Sequence, residues 1–126
     1  MAEIAYNERR IDGNVVLVTW TPITEADTAQ PYPQPYWSDS TIHIFGTIGA
    51  GGNLRLQGSN EFTSPSNWAT LKDTQRNLLN IATLPVAEQV LEHMYQVRPH
   101  PTAGVGMSLT VIMQFTFPGQ RWRAPS

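Results

Sequence analysis

The chain reads as all-β: an antiparallel β-sandwich or jelly roll with at most one short helix and extended arms. Three observations predict this. Apolar side chains recur at every second position in several stretches, the period of a strand with one buried face. Clusters of Gly, Asn, Asp and Pro interrupt those stretches every ~8–12 residues, the spacing of strands in antiparallel sandwiches. The chain has 126 residues, 40% of them apolar, which suits one domain with its own core. The expected organisation is an N-terminal arm over 1–13, a sandwich domain over 14–118 that holds a proline-rich loop at 22–38, and a C-terminal tail over 119–126.

Taken in order, Asp12-Gly13-Asn14 is a turn that opens the first strand. Asn14 to Trp20 contains the run Val-Val-Leu-Val-Thr-Trp, whose unbroken β-branched and apolar character predicts a strand covered on both faces. Pro22, Pro31, Pro33 and Pro35 make residues 22–38 an extended, polyproline-like segment. A connection this long is uncommon unless it binds something. Thr41 to Ile48 alternates Ile42, Ile44, Gly46 and Ile48 with Thr41, His43, Phe45 and Thr47, placing His43 on the outer face. Gly49-Ala50-Gly51-Gly52-Asn53 then predicts a hairpin into the strand Asn53 to Gly58.

A polar loop from Ser59 to Asn67 leads to Trp68, and shorter strands are expected over Asn67 to Leu71 and Leu78 to Leu84. Val86, Val90 and Met94 stand at helical spacing behind Pro85, which predicts a short helix or helical turn, with an irregular crossing strand as the other reading. Tyr95 to Arg98 is a strand expected to end at Pro99 and Pro101. Met107 to Phe117 is the clearest strand, with Met107, Leu109, Val111, Met113, Phe115 and Phe117 on one side and only Ile112 breaking the polar side. Pro118-Gly119 stops it. There is no internal repeat.

Charged residues make up 14% of the chain, against about 25% in a typical soluble domain. Eight Lys and Arg against ten Asp and Glu leave a formal charge of −2. That balance supplies no basic field for a phosphate backbone, so no nucleic-acid partner is expected. The absence of Cys excludes disulfide scaffolds, thiolate metal sites and cysteine nucleophiles. Met1 to Arg10 lacks an apolar signal region, and no apolar run approaches the ~18 residues of a membrane span, so a soluble chain made inside the cell, with no membrane partner, is expected. Poor in Lys and rich in Thr, Asn, Gln and Ser, the chain has the composition of a surface spent against neighbours, although small β proteins also carry many Thr and Asn without assembling.

Residues that carry chemistry are sparse. His43, His93 and His100 form no His-Glu-x-x-His arrangement, and solvated or packing roles are expected for all three. Glu88 and Glu92 would share a helix face beside His93, but two exposed carboxylates on a short helix are ordinarily its wet side, so no metal is expected. No Gly-x-Ser-x-Gly elbow and no phosphate loop are present, and the Gly49 to Gly52 run has no helix behind it. With no nucleophile, base and orienting group at workable spacing, neither catalytic residues nor a cofactor are expected.

The aromatics remain. Trp20 and Trp68 are expected to close the domain's own core. Tyr32, Tyr36, Trp37 and Trp122 lie in proline-flanked or terminal segments, where such rings either pack back or anchor in a partner's pocket. With Arg121 and Arg123 they are the candidate protein-interface residues, and a flat platform for sugar rings is a third use for them.

Several motifs in series carry a resemblance. Leu54-Arg-Leu-Gln-Gly-Ser-Asn60, Asn67-Trp-Ala-Thr-Leu-Lys-Asp73, Gln75-Arg-Asn-Leu-Leu79, Glu88-Gln-Val-Leu-Glu92, Tyr95-Gln-Val-Arg-Pro99 and Gly106-Met-Ser-Leu-Thr-Val111 resemble small structural proteins of tailed bacteriophages, the capsid decoration or cement proteins. The likeness spans Ile42 to Phe117. It departs from that group at Arg76, where glycine is usual, and at Glu61 to Ser64, where a tight Asp/Gly turn is usual. The resemblance implies a virion structural protein on the capsid surface, made in the host cytoplasm, bound to the major capsid protein and self-associating as a dimer or trimer. Under it, residues 30–37 and both termini would carry the contacts, by adding buried area across subunit junctions. A tail or connector protein is a variant of this reading. The Gly-Ser-Asn…Asn-Trp passage is also similar to discoidin-like carbohydrate-binding sandwiches, where it forms a structural hairpin. A carbohydrate-binding sandwich for host-surface attachment is therefore the competing function.

Overall fold

The alternating stretches pair with one another into sheets. The computed structural model describes residues 3–34 and 39–116, and it is all-β, with no helix among the described residues. In chain order the strands are β1 (Glu3–Ile4), β2 (Asn7–Asp12), β3 (Val15–Ile23), β4 (Thr28–Ala29), β5 (Tyr32–Pro33), β6 (Asp39–Thr47), β7 (Asn53–Ser59), β8 (Ala69–Thr70), β9 (Asn80–Ile81), β10 (Val86–Gln89), β11 (Gln96–Thr102) and β12 (Ser108–Thr116). A five-stranded first sheet has the order β10-β6-β12-β3-β2, and the second runs β5-β11-β7-β8 with β9 also paired to β7. Both are antiparallel throughout, and β1 and β4 add one small parallel pair.

Period 2 decides what goes inside. Val16, Val18 and Trp20 of β3, Ile42 and Ile44 of β6, and Leu109, Val111, Met113 and Phe115 of β12 form the inner face of the first sheet. Leu54 and Leu56 of β7, Val97 of β11 and Tyr32 of β5 belong to the second, and all join one buried cluster. The sheets meet where the Tyr32 and Phe115 rings lie 5.0 Å apart. Leu71, Leu79 and Val90, from the short segments after β7, complete the cluster. An all-β body in which two sheets share one core is consistent with the sandwich expectation.

Six details differ from the sequence reading. β3 is covered on one face only: Val15, Leu17 and Thr19 are half-buried, and among the described residues nothing packs over the outer side of its sheet. The Gly49 to Gly52 turn is not a hairpin. It carries the chain from β6 in one sheet to β7 in the other, and it is clamped by reciprocal backbone hydrogen bonds between Ala50 and Val105, 3.2 Å each. The expected helix over 86–94 is instead β10, an edge strand on β6, after which Val90 N donates to Ser40 O (3.0 Å) and Leu91 N to Lys72 O (2.8 Å). One or two helical turns are marginal alone, whereas the free edge of β6 offers a full ladder.

β11 does not end at Pro99. It runs through Pro99 and Pro101, both buried, because β7 pairs along its whole length while β5 pairs only with Gln96 and Val97. Beyond Val97 that second side of β11 is open, and an open side is where a strand tolerates a residue lacking an amide hydrogen. The proline-rich loop is packed over residues 22–34, where Pro22 lies within β3 and Gln34 is buried. The N-terminal arm, finally, is no free arm: β2 is the first sheet's edge strand, and Gln30 N donates to Ile4 O at 2.9 Å.

Candidate functional site

Two surfaces stand out, the outer faces of the two sheets. Register sets the first. Ala87, His43, Ile112, Thr19 and Asn7 form one row across β10, β6, β12, β3 and β2, and Gln89, Thr41, Gln114, Leu17 and Arg9 form the next. Phe45 stands opposite Thr110, whose hydroxyl shares a 2.8 Å hydrogen bond with that of Thr21. His43 is exposed as expected and packs against Phe45, ring centroids 5.1 Å apart. Among the described residues, charge enters this face only at its margins, through Arg9 and Asp39. Near Asp39 the face dips into a polar depression of about 250 Å³ lined by Ser40, Thr41, Gln89, Gln114 and Thr116.

The outer face of the second sheet has the opposite character. None of β5, β7, β8, β9 and β11 carries an Asp or Glu, while Arg55, Arg98 and His100 all project outward. Arg55 lies directly across from His100, and Gln57 from Arg98. The Arg98 guanidinium lies over the Trp68 ring, its Cζ 4.1 Å from the centroid, and its Nε donates to Gln57 Oε1 at 3.1 Å. Burial lowers the Arg98 pKa. Burial also lowers that of His100, helped by the positive charges of Arg98 and Arg55, so the imidazole is neutral near neutral pH.

Most acids elsewhere hold backbone. Glu61 Oε1 accepts from Ser66 N (2.8 Å) and Asn67 N (2.7 Å), Glu25 Oε1 from Met107 N (2.9 Å), and Asp73 Oδ1 from Gln75 N and Asn77 N (2.9 Å each). Glu92 Oε1 accepts from Lys72 N (2.7 Å), and Glu92 Oε2 pairs with Lys72 Nζ at 3.1 Å. Glu88 and Glu92 therefore do not share a face, and no cluster of His, Asp and Glu suited to a metal occurs among the described residues.

Of the residues singled out from sequence, Tyr32 is core rather than surface: it is 4% exposed and its hydroxyl donates to Glu8 Oε2. Its ring is spent inside the protein, beside Tyr6 and Phe115. Tyr36, Trp37, Arg121, Trp122 and Arg123 lie outside the described residues. Trp20 is fully buried, as expected, with Nε1 donating to Gln30 O at 2.9 Å. Trp68 is half-buried under Arg98 rather than in the core cluster. Arg55, Gln57 and Arg98 escaped sequence reasoning, and His100 was expected only to be solvated or packed. The signal was available in the outward positions of two strands, but only once β7 and β11 were known to be neighbours.

Compared with known proteins, the chain matches no protein-family model, no curated protein and no solved structure.

Proposed function

We propose that this protein is a non-enzymatic virion structural protein, a decoration or cement subunit that stabilises a bacteriophage head by bridging subunits of the major capsid protein. The observation that carries the reading is the outer face of the first sheet. Five strands wide, it is uncharged except at its margins and mixes Thr and Gln with Leu17, Phe45 and Ile112. Depletion of charge at the centre with a polar rim is the composition of a buried interface. A face stiffened by a full ladder loses little conformational entropy on docking.

With residues 22–34 packed against the body, we place the contact on this face. Bridging then works by area: a partner on each side of one rigid face adds burial at two junctions, and many copies add avidity. Self-association as a dimer or trimer, and a place on the capsid surface after synthesis in the host cytoplasm, belong to the same proposal.

The test is co-sedimentation with shells assembled from a major capsid protein of tailed bacteriophages. Ile112→Glu and Gln114→Glu place a carboxylate at the centre of the face without touching the core. Each is expected to weaken shell binding at least about tenfold, the cost of one buried unpaired charge, with an unchanged melting temperature. Wild-type binding by both variants would overturn the use of this face, and no binding by the wild type would overturn the function.

A further inference from the structure

The outer face of the second sheet has no part in that reading, and we propose that it is a binding site for the carboxylate of an acidic sugar. The argument starts with charge. A protein of net charge −2 has brought two arginines and a histidine onto one face of five strands that hold no acid at all. Among the described residues neither Arg55 nor Arg98 makes a salt bridge, whereas Lys72 has one. Like charges gathered without a counter-charge are unfavourable by themselves, and an incoming anion relieves them.

Arg98 is also held in place. Trp68 supports one side of its guanidinium, and Gln57 accepts from Nε. What remains is the pair of Nη groups, the half of the fork that meets a carboxylate with two parallel hydrogen bonds. Arg55 stands diagonally across the β7–β11 ladder from Arg98, at the ~7–8 Å spacing that long side chains can span to share one anion. His100, between them, adds a ring nitrogen.

The surroundings favour a sugar acid over an acidic protein surface. Thr70 and Asn80, opposite Gln57 and Arg55, and Thr102, beyond His100, are neutral hydrogen-bonding groups suited to hydroxyls. A docked protein also needs apolar area. Among the described residues the exposed large apolar side chains are Ile11, Phe45, Phe62, Leu78, Leu91 and Val105, and none occupies β7 or β11.

The test is titration of the whole protein with glucuronate, glucose, inorganic phosphate and an acidic peptide at fixed ionic strength, followed by the Trp68 indole N–H resonance. Glucuronate is expected to shift it saturably and glucose not at all. Arg98→Gln and Arg55→Gln should each weaken glucuronate binding about tenfold, and Arg9→Gln, on the other sheet, should leave it unchanged. Unchanged resonances elsewhere in the two variants confirm that they fold. Failure of glucuronate to bind, or equal weakening by Arg9→Gln, overturns the site. Phosphate or the acidic peptide binding as tightly as glucuronate overturns the sugar-acid assignment. None of these outcomes bears on shell binding, which is read with variants of the opposite face.

Discussion

Arg76 and Ser64 show what a single backbone position can demand. Both lie in the left-handed region, with φ of 69° and 47°. Arg76 closes the turn in which Asp73 N donates to Asn77 O (2.9 Å) and Arg76 N to Asp73 O (3.0 Å). It is also where the decoration proteins usually have glycine. The left-handed conformation costs a residue with a Cβ about 1–2 kcal/mol, and glycine gives back about 0.5–1 kcal/mol through the entropy of its unfolded chain. Arg76→Gly is therefore expected to raise stability by up to about 1.5 kcal/mol, read as a higher midpoint in urea; a lower midpoint would contradict this.

At the same scale, Phe115 is fully buried against Tyr32 across the two sheets. Phe115→Ala should cost about 3–5 kcal/mol, the range for emptying a core aromatic site. Tyr32→Phe, which removes only the hydroxyl bonded to Glu8, should cost no more than about 1–2 kcal/mol. Equal losses in denaturant would mean that the Phe115 ring contributes no more than the Tyr32 hydroxyl.

At the scale of elements, the legible parts of the sequence were those in which local pattern and final environment agree. β6, β7 and β12 fell where alternation put them, because a strand with one dry face needs nothing else to identify it. β10 could not be read, since a stretch with Val86, Val90 and Met94 at helical spacing became a strand only through the open edge of β6. The Gly49 to Gly52 turn looked like a hairpin because nothing local says which sheet the next strand joins. Pro99 and Pro101 misled for the same reason, since their tolerance depends on a missing neighbour. The candidate site shares this limit: Arg55 and Arg98 are distant in sequence and reach one face only through strand pairing.

The crossover turn makes a test at this scale. Gly49 has φ of +82°, and a Cβ there would lie 2.6 Å from Val105 O, the acceptor for Ala50 N. Gly49→Ala should cost at least about 1–2 kcal/mol from backbone strain alone, and amide exchange at Ala50 and Val105 should quicken together. The loop after β7 responds to acid instead. Hydrogen bonds from Asn67 N and Ser66 N lower the Glu61 pKa, so its support is present above the ordinary carboxylate range and is lost as pH falls through the lowered value. Acidification should expose these two amides to exchange before the core amides.

For the molecule as a whole, the two outer faces predict opposite responses to salt and pH. Shell binding through an uncharged face should change little with ionic strength, whereas sugar-acid binding through Arg55 and Arg98 should weaken as salt screens it. His100, lowered by burial and by the two arginines, faces no acid on its own strand or on β7. A bound carboxylate offsets those positive charges and raises the His100 pKa, so binding takes up a proton. Glucuronate affinity should therefore increase from about pH 7.5 to about pH 5.5; a decrease over that range would place His100 outside the site.

One last property follows from β2. It borders the first sheet with one ladder side open, and such a border invites a second molecule to extend the sheet indefinitely. Glu8, Arg9 and Arg10 sit in consecutive positions there, in a chain otherwise sparing with charge. Their placement reads as insulation against fibre growth: the ionic groups stand where uncontrolled polymerisation would begin.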